Sequence, residues 1–128
     1  MTQVDPLKVS CHALNRLRDA CYACSKDHGF HDRDNFDLWF ANQCNNLTAE
    51  ISELWDAWRT HKSTEYCDKA DKMRAQGLTP LTCQSEELAD IIIRVCDMAG
   101  RMNIDLEMAV YNKFQYNLTR PYKHGKRN

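Results

Sequence analysis

Leu7, Cys11, Leu14, Leu17, Cys21 and Cys24 recur at intervals of three and four, the spacing that gathers apolar groups on one face of a helix. Asp5 can cap such a helix, Pro6 suits its first position, and Gly29 can close it. A second stripe (Phe36, Phe40, Cys44, Leu47, Ile51, Leu54 and Trp58) predicts a long helix that begins near Asn35 and fades around Arg59–Lys62. Residues Ser63 to Gln76 are charged and only weakly amphipathic, which predicts a short, mostly exposed helix or insertion ended by Gly77. Thr82 or Ser85 can cap the next helix, with Glu86 and Glu87 in its first turn. Ile91-Ile92-Ile93 reads locally as a strand. The longer rhythm Leu88, Ile91, Ile92, Val95, Cys96, Ala99, Met102 decides for a helix whose end is blurred by Gly100. A further helix is expected from Asp105 to about Tyr116, and extended chain from Arg120-Pro121 onward. These elements predict an all-α bundle of four to five helices in one domain spanning residues 1–128, with Ser63–Thr82 inserted between the two principal helices.

The polar positions on those two helices carry the chemistry. Glu50 and Glu53 stand to the apolar set Ile51, Leu54, Trp55, Trp58 as Glu87 and Asp90 stand to Leu88, Ile91, Ile92, Val95. At roughly 100° per residue both acidic pairs fall about 100–160° from the centre of their own stripe. Two packed helices can therefore aim four carboxylates at one point. Of the positions four residues on, 54 is Leu, 57 is Ala and 91 is Ile; only Asp90 has a basic residue there, Arg94. Like charges this close repel unless a cation compensates them, and a divalent metal does so while keeping positions for water and phosphate oxygens. Solvated helix faces are the plainer reading of any single pair; the shared offset of the two favours a metal. Asp97 either joins the metal shell or pairs with Arg94 or Arg101.

Charge is nearly balanced, with a formal net of −1. That gives no general reason to expect nucleic acid or an acidic membrane surface, and no helix-turn-helix pattern appears. The balance is uneven along the chain. No acidic residue follows Glu107, whereas Lys113, Arg120, Lys123, Lys126 and Arg127 do. A basic tail beside an acidic body suits a ligand made of metal and phosphate. Tyr111, Phe114, Tyr116 and Tyr122 can dock the tail.

The seven cysteines are odd in number, and the polar start MTQVDPLKVSCHALNRLRD is no signal sequence. Together these predict a cytoplasmic protein with reduced thiols and no membrane segment. Cys21 and Cys24 form a lone CxxC without a second pair, so small buried hydrophobes are the expected role. Trp39, Trp55 and Trp58 read as core, Trp39 being the least committed, and His28 and His31 as turn residues. Neither a Gly-rich phosphate loop nor a GxSxG elbow occurs.

Glu50-Ile-Ser-Glu53, Glu87-Leu-Ala-Asp90, the phrase EELADIIIRVCDMAGRMNID, the HGFHD turn and the ending YNKFQYNLTRPYKHGKR together resemble the MazG-like nucleotide pyrophosphohydrolases of the all-α NTP pyrophosphatase superfamily. The resemblance runs over nearly the whole chain and implies a MazG-like fold. The acidic motifs alone are weak markers; followed in order by NxxRPYxHG they are strong. Two departures stand out. Ala49 occupies the position before the first motif where many members carry another Glu, and the 63–82 segment lengthens the gap between the motifs.

What the resemblance implies is a Mg²⁺-dependent hydrolase, with Mn²⁺ as a substitute, that cuts a nucleoside triphosphate between its α and β phosphates. Glu50, Glu53, Glu87 and Asp90 would hold the metal, with Glu53 (or Glu50) as the catalytic base. Lys113, Asn117, Arg120, Lys123, His124 and Lys126 would meet the phosphates. The family works as dimers or tetramers, so a homodimer or homotetramer is expected. The alternatives are a dUTP- or dCTP-type hydrolase of the same superfamily, a phosphoribosyl-ATP pyrophosphohydrolase, and a helical nucleotide-binding or interaction module that has lost turnover.

Overall fold

A computed structural model describes residues 5–127, leaving aside the side chain of His124. The chain is all-α: α1 (Pro6–Cys11), α2 (Leu14–Asp27), α3 (Phe36–Arg59), α4 (Ala70–Ala75), α5 (Cys83–Arg101) and α6 (Leu106–Leu118), followed by a short 3₁₀ turn at Tyr122–Gly125. Local chemistry sets most boundaries. Asp5 accepts from the backbone N–H groups of Leu7 and Lys8 ahead of Pro6. Asn35 accepts from Leu38 N–H, Thr82 from Ser85 N–H, and Asp105 from Met108 N–H. Each side chain satisfies one of the donors that a helix start leaves unpaired. Gly29 and Gly77 follow α2 and α4 at φ of 82° and 74°, the left-handed conformation that glycine adopts without steric cost.

Two expectations change, while the short, mostly exposed helix expected before Gly77 is present as α4. The first predicted helix is broken at His12-Ala13, so α1 turns onto α6 while α2 runs on. Asn15 fastens the joint: its carbonyl accepts from Leu106 and Glu107 N–H and its amide donates to Asp105. The residues after Pro121 form the 3₁₀ turn rather than extended chain. The insertion is held to the start of α5 by backbone bonds from Cys83 N–H to Glu65 and Gln84 N–H to Ser63, and closed on itself by Cys67 N–H to Leu81 and one isolated bridge at Tyr66 and Thr82.

α5 lies between α2 and α3 and packs on both. Arg94 reaches Glu50 while Arg101 covers Trp39, so α3 and α5 are antiparallel. Ser25 meets Asp97 and Arg18 meets Ile104, so α2 and α5 are antiparallel as well. Gly100 marks the closest approach. A β-carbon built there would lie 2.4 Å from Tyr22 Cβ, well inside contact distance, so Gly100, one residue before the end of α5 as expected, also serves packing. Alanine is the better helix former by about 1 kcal/mol, yet overpacking a helix crossing costs about 1–3 kcal/mol. Gly100→Ala is therefore expected to lower the melting temperature by several degrees, as read by thermal circular dichroism; an unchanged or raised value would refute this packing role.

The burial of the tryptophans inverts the expected order. Trp39 is 1% exposed, whereas Trp55 and Trp58 are 61% and 66% exposed. Ile51, Leu88, Ile92 and Val95, expected in the core, are also exposed. The chain presents 9901 Å² of accessible surface, against about 7,000 Å² for a compact monomer of this size. Parts of both apolar stripes are thus left uncovered, while of the acidic positions beside them Glu50 is buried, Glu87 and Asp90 are half-buried and Glu53 is exposed. All seven cysteines are unpaired, but burial is divided: Cys11 is buried and Cys24 is exposed. No helix among the described residues is long and apolar enough to cross a membrane.

Candidate functional site

Glu50 and Glu53 sit on one face of α3, and Glu87 lies opposite them in the first half of α5. Each of the three offers an oxygen within 4.8 Å of the others. Oxygens on opposite sides of a Mg²⁺ ion are about 4.2 Å apart, so the three can close on one ion with a small adjustment. One oxygen of Glu87, Oε2, is buried without a hydrogen-bond partner among the described residues, which leaves it available to a cation. Asp90 is the member that the structure sets apart. It lies outside the trio and lines, with Glu50, a neighbouring cavity.

Burial and the mutual proximity of the carboxylates set the electrostatics of the trio. Burial pushes the Glu87 carboxyl up to about 8, and the adjoining carboxylates of Glu50 and Glu53 add to the shift. Burial acts in the same direction on Glu50, but hydrogen bonds from Arg94, Glu87 and Glu53 outweigh it and hold that group below its usual range. Within the trio the Glu50 carboxyl is therefore shifted down and the Glu87 carboxyl up. Burial also raises Asp90, with the charges of Glu50 and Glu86 behind it. Arg94 donates to Glu50 at 2.8 Å. In sequence Arg94 looks like a partner for Asp90 four residues earlier; across the helix pair it serves Glu50 instead.

The cavity, of about 580 Å³, lies between α2 and α3 with α5 as its floor. Asp90, Ile93, Arg94 and Asp97 form the floor, Leu17, Cys21, Cys24 and Ser25 one wall, and Gln43 and Glu50 the other. Asp97 belongs neither to the metal group nor to Arg94 or Arg101. It accepts from Ser25 at 2.8 Å and pairs with His31 Nε2 at 2.5 Å. His31 is therefore more than a turn residue: its side chain is 3% exposed and lies between the rings of Tyr22 and Trp39. Its role and that of Gln43 went unseen in the sequence, because neither sits within a recognisable acidic or basic motif.

The basic tail assembles separately. Lys113, Tyr116 and Asn117 share one face at the end of α6 by their spacing, Arg120 follows two residues past it, and both cations lie over the Tyr116 ring, at 4.7 and 5.8 Å. The side-chain oxygen of Asn117, Oδ1, is buried without a partner among the described residues. Lys123 stands over Tyr122, while the side chain of His124 lies outside the described residues. α6 packs on α1 and α2, and neither these residues nor Lys126 line the cavity. The predicted phosphate-binding set is thus partly gathered on its own helix but not brought to the carboxylates within one chain.

A second group of potential ligands, Cys67, Asp68 and Glu86, occurs at the insertion. There Lys69 already supplies the positive charge: its ammonium bonds to Glu86 and, at 3.2 Å, to Asp68. Glu86 and Asp68 raise the Lys69 ammonium above the usual lysine range against the opposing effect of burial. This cluster is an ion-pair network that ties the insertion to α5. Compared with protein-family models, curated proteins and solved structures, the chain matches none.

Proposed function

We propose that this protein is a MazG-like, Mg²⁺-dependent nucleoside triphosphate pyrophosphohydrolase of the cytoplasm. What carries the reading is the carboxylate trio Glu50, Glu53 and Glu87, with the buried, unpartnered Glu87 oxygen, opening beside a cavity large enough for a nucleoside. Glu50, Glu53 and Glu87 would hold the ion, with Asp90 closing on it from the adjoining turn. Mg²⁺, when bound, supplies positive charge against the phosphates and lowers the pKa of a coordinated water.

In this reading the oxygen of water attacks the α-phosphorus, the bond from that phosphorus to the α–β bridging oxygen breaks, and pyrophosphate departs. Glu53, the most exposed of the trio, takes the proton. Lys113, Arg120 and Lys123 offset charge on the phosphates as they separate, and Asn117 orients an oxygen. Because these residues do not line the cavity of their own chain, we assign them to a neighbouring copy in a homo-oligomer. The uncovered apolar positions of α3 and α5 support that association.

The direct test is incubation with a panel of common and modified nucleoside triphosphates and Mg²⁺, following pyrophosphate. Release of pyrophosphate from at least one member is expected. Orthophosphate release would place the cut elsewhere, and no release from any member would overturn the activity. Mg²⁺-dependent binding without turnover would favour a silent nucleotide-binding module.

A further inference from the structure

Gln43 is 5% exposed, lines the cavity, and has no hydrogen-bond partner among the described residues. A primary amide carries two donors and an acceptor, which a ligand entering the cavity can meet. Of the other polar residues lining the cavity, Ser25 is committed to Asp97, Arg94 to Glu50 and His28 to the Cys24 carbonyl, while Asp90, like Gln43, makes no hydrogen bond among the described residues. Gln43 therefore keeps an uncommitted amide facing an otherwise largely apolar space bounded by Leu17, Cys21 and Ile93.

Its register supplies the second half of the case. Gln43 precedes Glu50 by two helical turns, so the two share a face of α3 and are separated by about 10.5 Å along the axis. That separation is comparable to the span from a nucleotide's α-phosphate to the outer edge of its base. With phosphate at the carboxylate end, the base would enter the apolar part of the cavity and present its edge at the level of Gln43. Every natural base offers a donor and an acceptor side by side on that edge, and a carboxamide can answer both.

We infer that the cavity between α2 and α3 is a nucleobase site and that Gln43 is the residue hydrogen-bonded to the base edge. The ligand class is a nucleoside phosphate, an assignment that rests on the proposed hydrolase reading. Gln43→Met retains the length of the side chain and removes its hydrogen bonds.

Titration calorimetry of wild type and variant, in Mg²⁺, with the four deoxynucleoside 5′-monophosphates and with 2-deoxyribose 5-phosphate tests the inference. Wild type is expected to bind at least one nucleotide more than tenfold tighter than the baseless sugar phosphate. Gln43→Met should weaken that nucleotide about five- to a hundredfold and leave the sugar phosphate unchanged. Equal weakening of both, or a variant that binds the nucleotide as wild type does, overturns the inference. Thermal melting verifies that the variant is folded, and Gln43→Leu replaces it if it is not. Nucleotide binding that depends on Gln43 without turnover of any triphosphate would sink the hydrolase and leave the base site standing. Turnover with base preference unchanged in the variant would do the reverse, and no nucleotide binding at all would remove both.

Discussion

Glu53→Gln is expected to lower pyrophosphate release by about two to four orders of magnitude, the usual contribution of a positioned general base, with little change in the fold. Glu53 is exposed and makes no cap or ion pair that holds α3, so the loss should appear in kcat rather than in the melting temperature. A second readout separates the chemical role from a general disturbance. Burial is the largest cause of the raised Glu87 value, but the Glu53 charge is among the others. Neutralising Glu53 therefore moves Glu87 back toward its ordinary range.

In the wild type without metal, Glu87 binds its proton more tightly folded than unfolded. Stability is then highest below the unfolded value of 4.5 and falls as pH rises through about 8. Mg²⁺ must displace that proton, so its affinity should rise with pH across the same interval and its binding should restore stability. Glu53→Gln should flatten both dependences. A variant with wild-type turnover would remove Glu53 from the reaction. One with reduced turnover but an unchanged pH dependence of Mg²⁺ binding would detach it from Glu87.

Helix positions were legible from the sequence because they rest on local chemistry: Asn35, Thr82 and Asp105 each cap the helix they precede. The acidic trio was legible for a related reason, since a shared angular offset survives any packing that sets the two helices side by side. What the pattern does not contain is the identity of the partner surface. Ile51, Trp55, Leu88 and Ile92 form helical stripes whether they meet another part of their own chain or a second copy, and here they remain uncovered. Pairings across elements were equally hidden. Arg94 is four residues from Asp90 yet bonds to Glu50, and Asp97 finds His31 and Ser25 through the crossing of α2 and α5. Gly100 lies at the end of α5, as its place in the pattern indicates, but its packing against Tyr22 on a different helix is not contained in that pattern.

Trp55→Glu combined with Ile92→Glu is expected to convert an oligomer into a monomer and to abolish turnover. Wild type exceeds the surface of a compact monomer by roughly 2,900 Å², an amount on the scale of an obligate interface. Trp55 and Ile92 are 61% and 53% exposed and lie on the adjoining, antiparallel helices α3 and α5. In a two-fold interface each substitution occurs twice, so the pair removes four apolar side chains. At about 1.5 kcal/mol for each the loss is about 6 kcal/mol, which raises the dissociation constant by about 10⁴. The internal contacts of α5 with α2 and α3 are untouched, so circular dichroism should still report helices. Light scattering at micromolar concentration should give at least two chains for wild type and one for the variant. The activity loss follows if the α6 cations act across the interface, and complementation tests that link. Mixing Glu53→Gln with Arg120→Ala, each inactive alone, should assemble mixed dimers with one intact site and restore about a quarter of wild-type activity. A wild type that is active as a strict monomer would reject both the interface and the shared site. An oligomer whose mixture stays inactive would retain the interface and return the cations to their own chain.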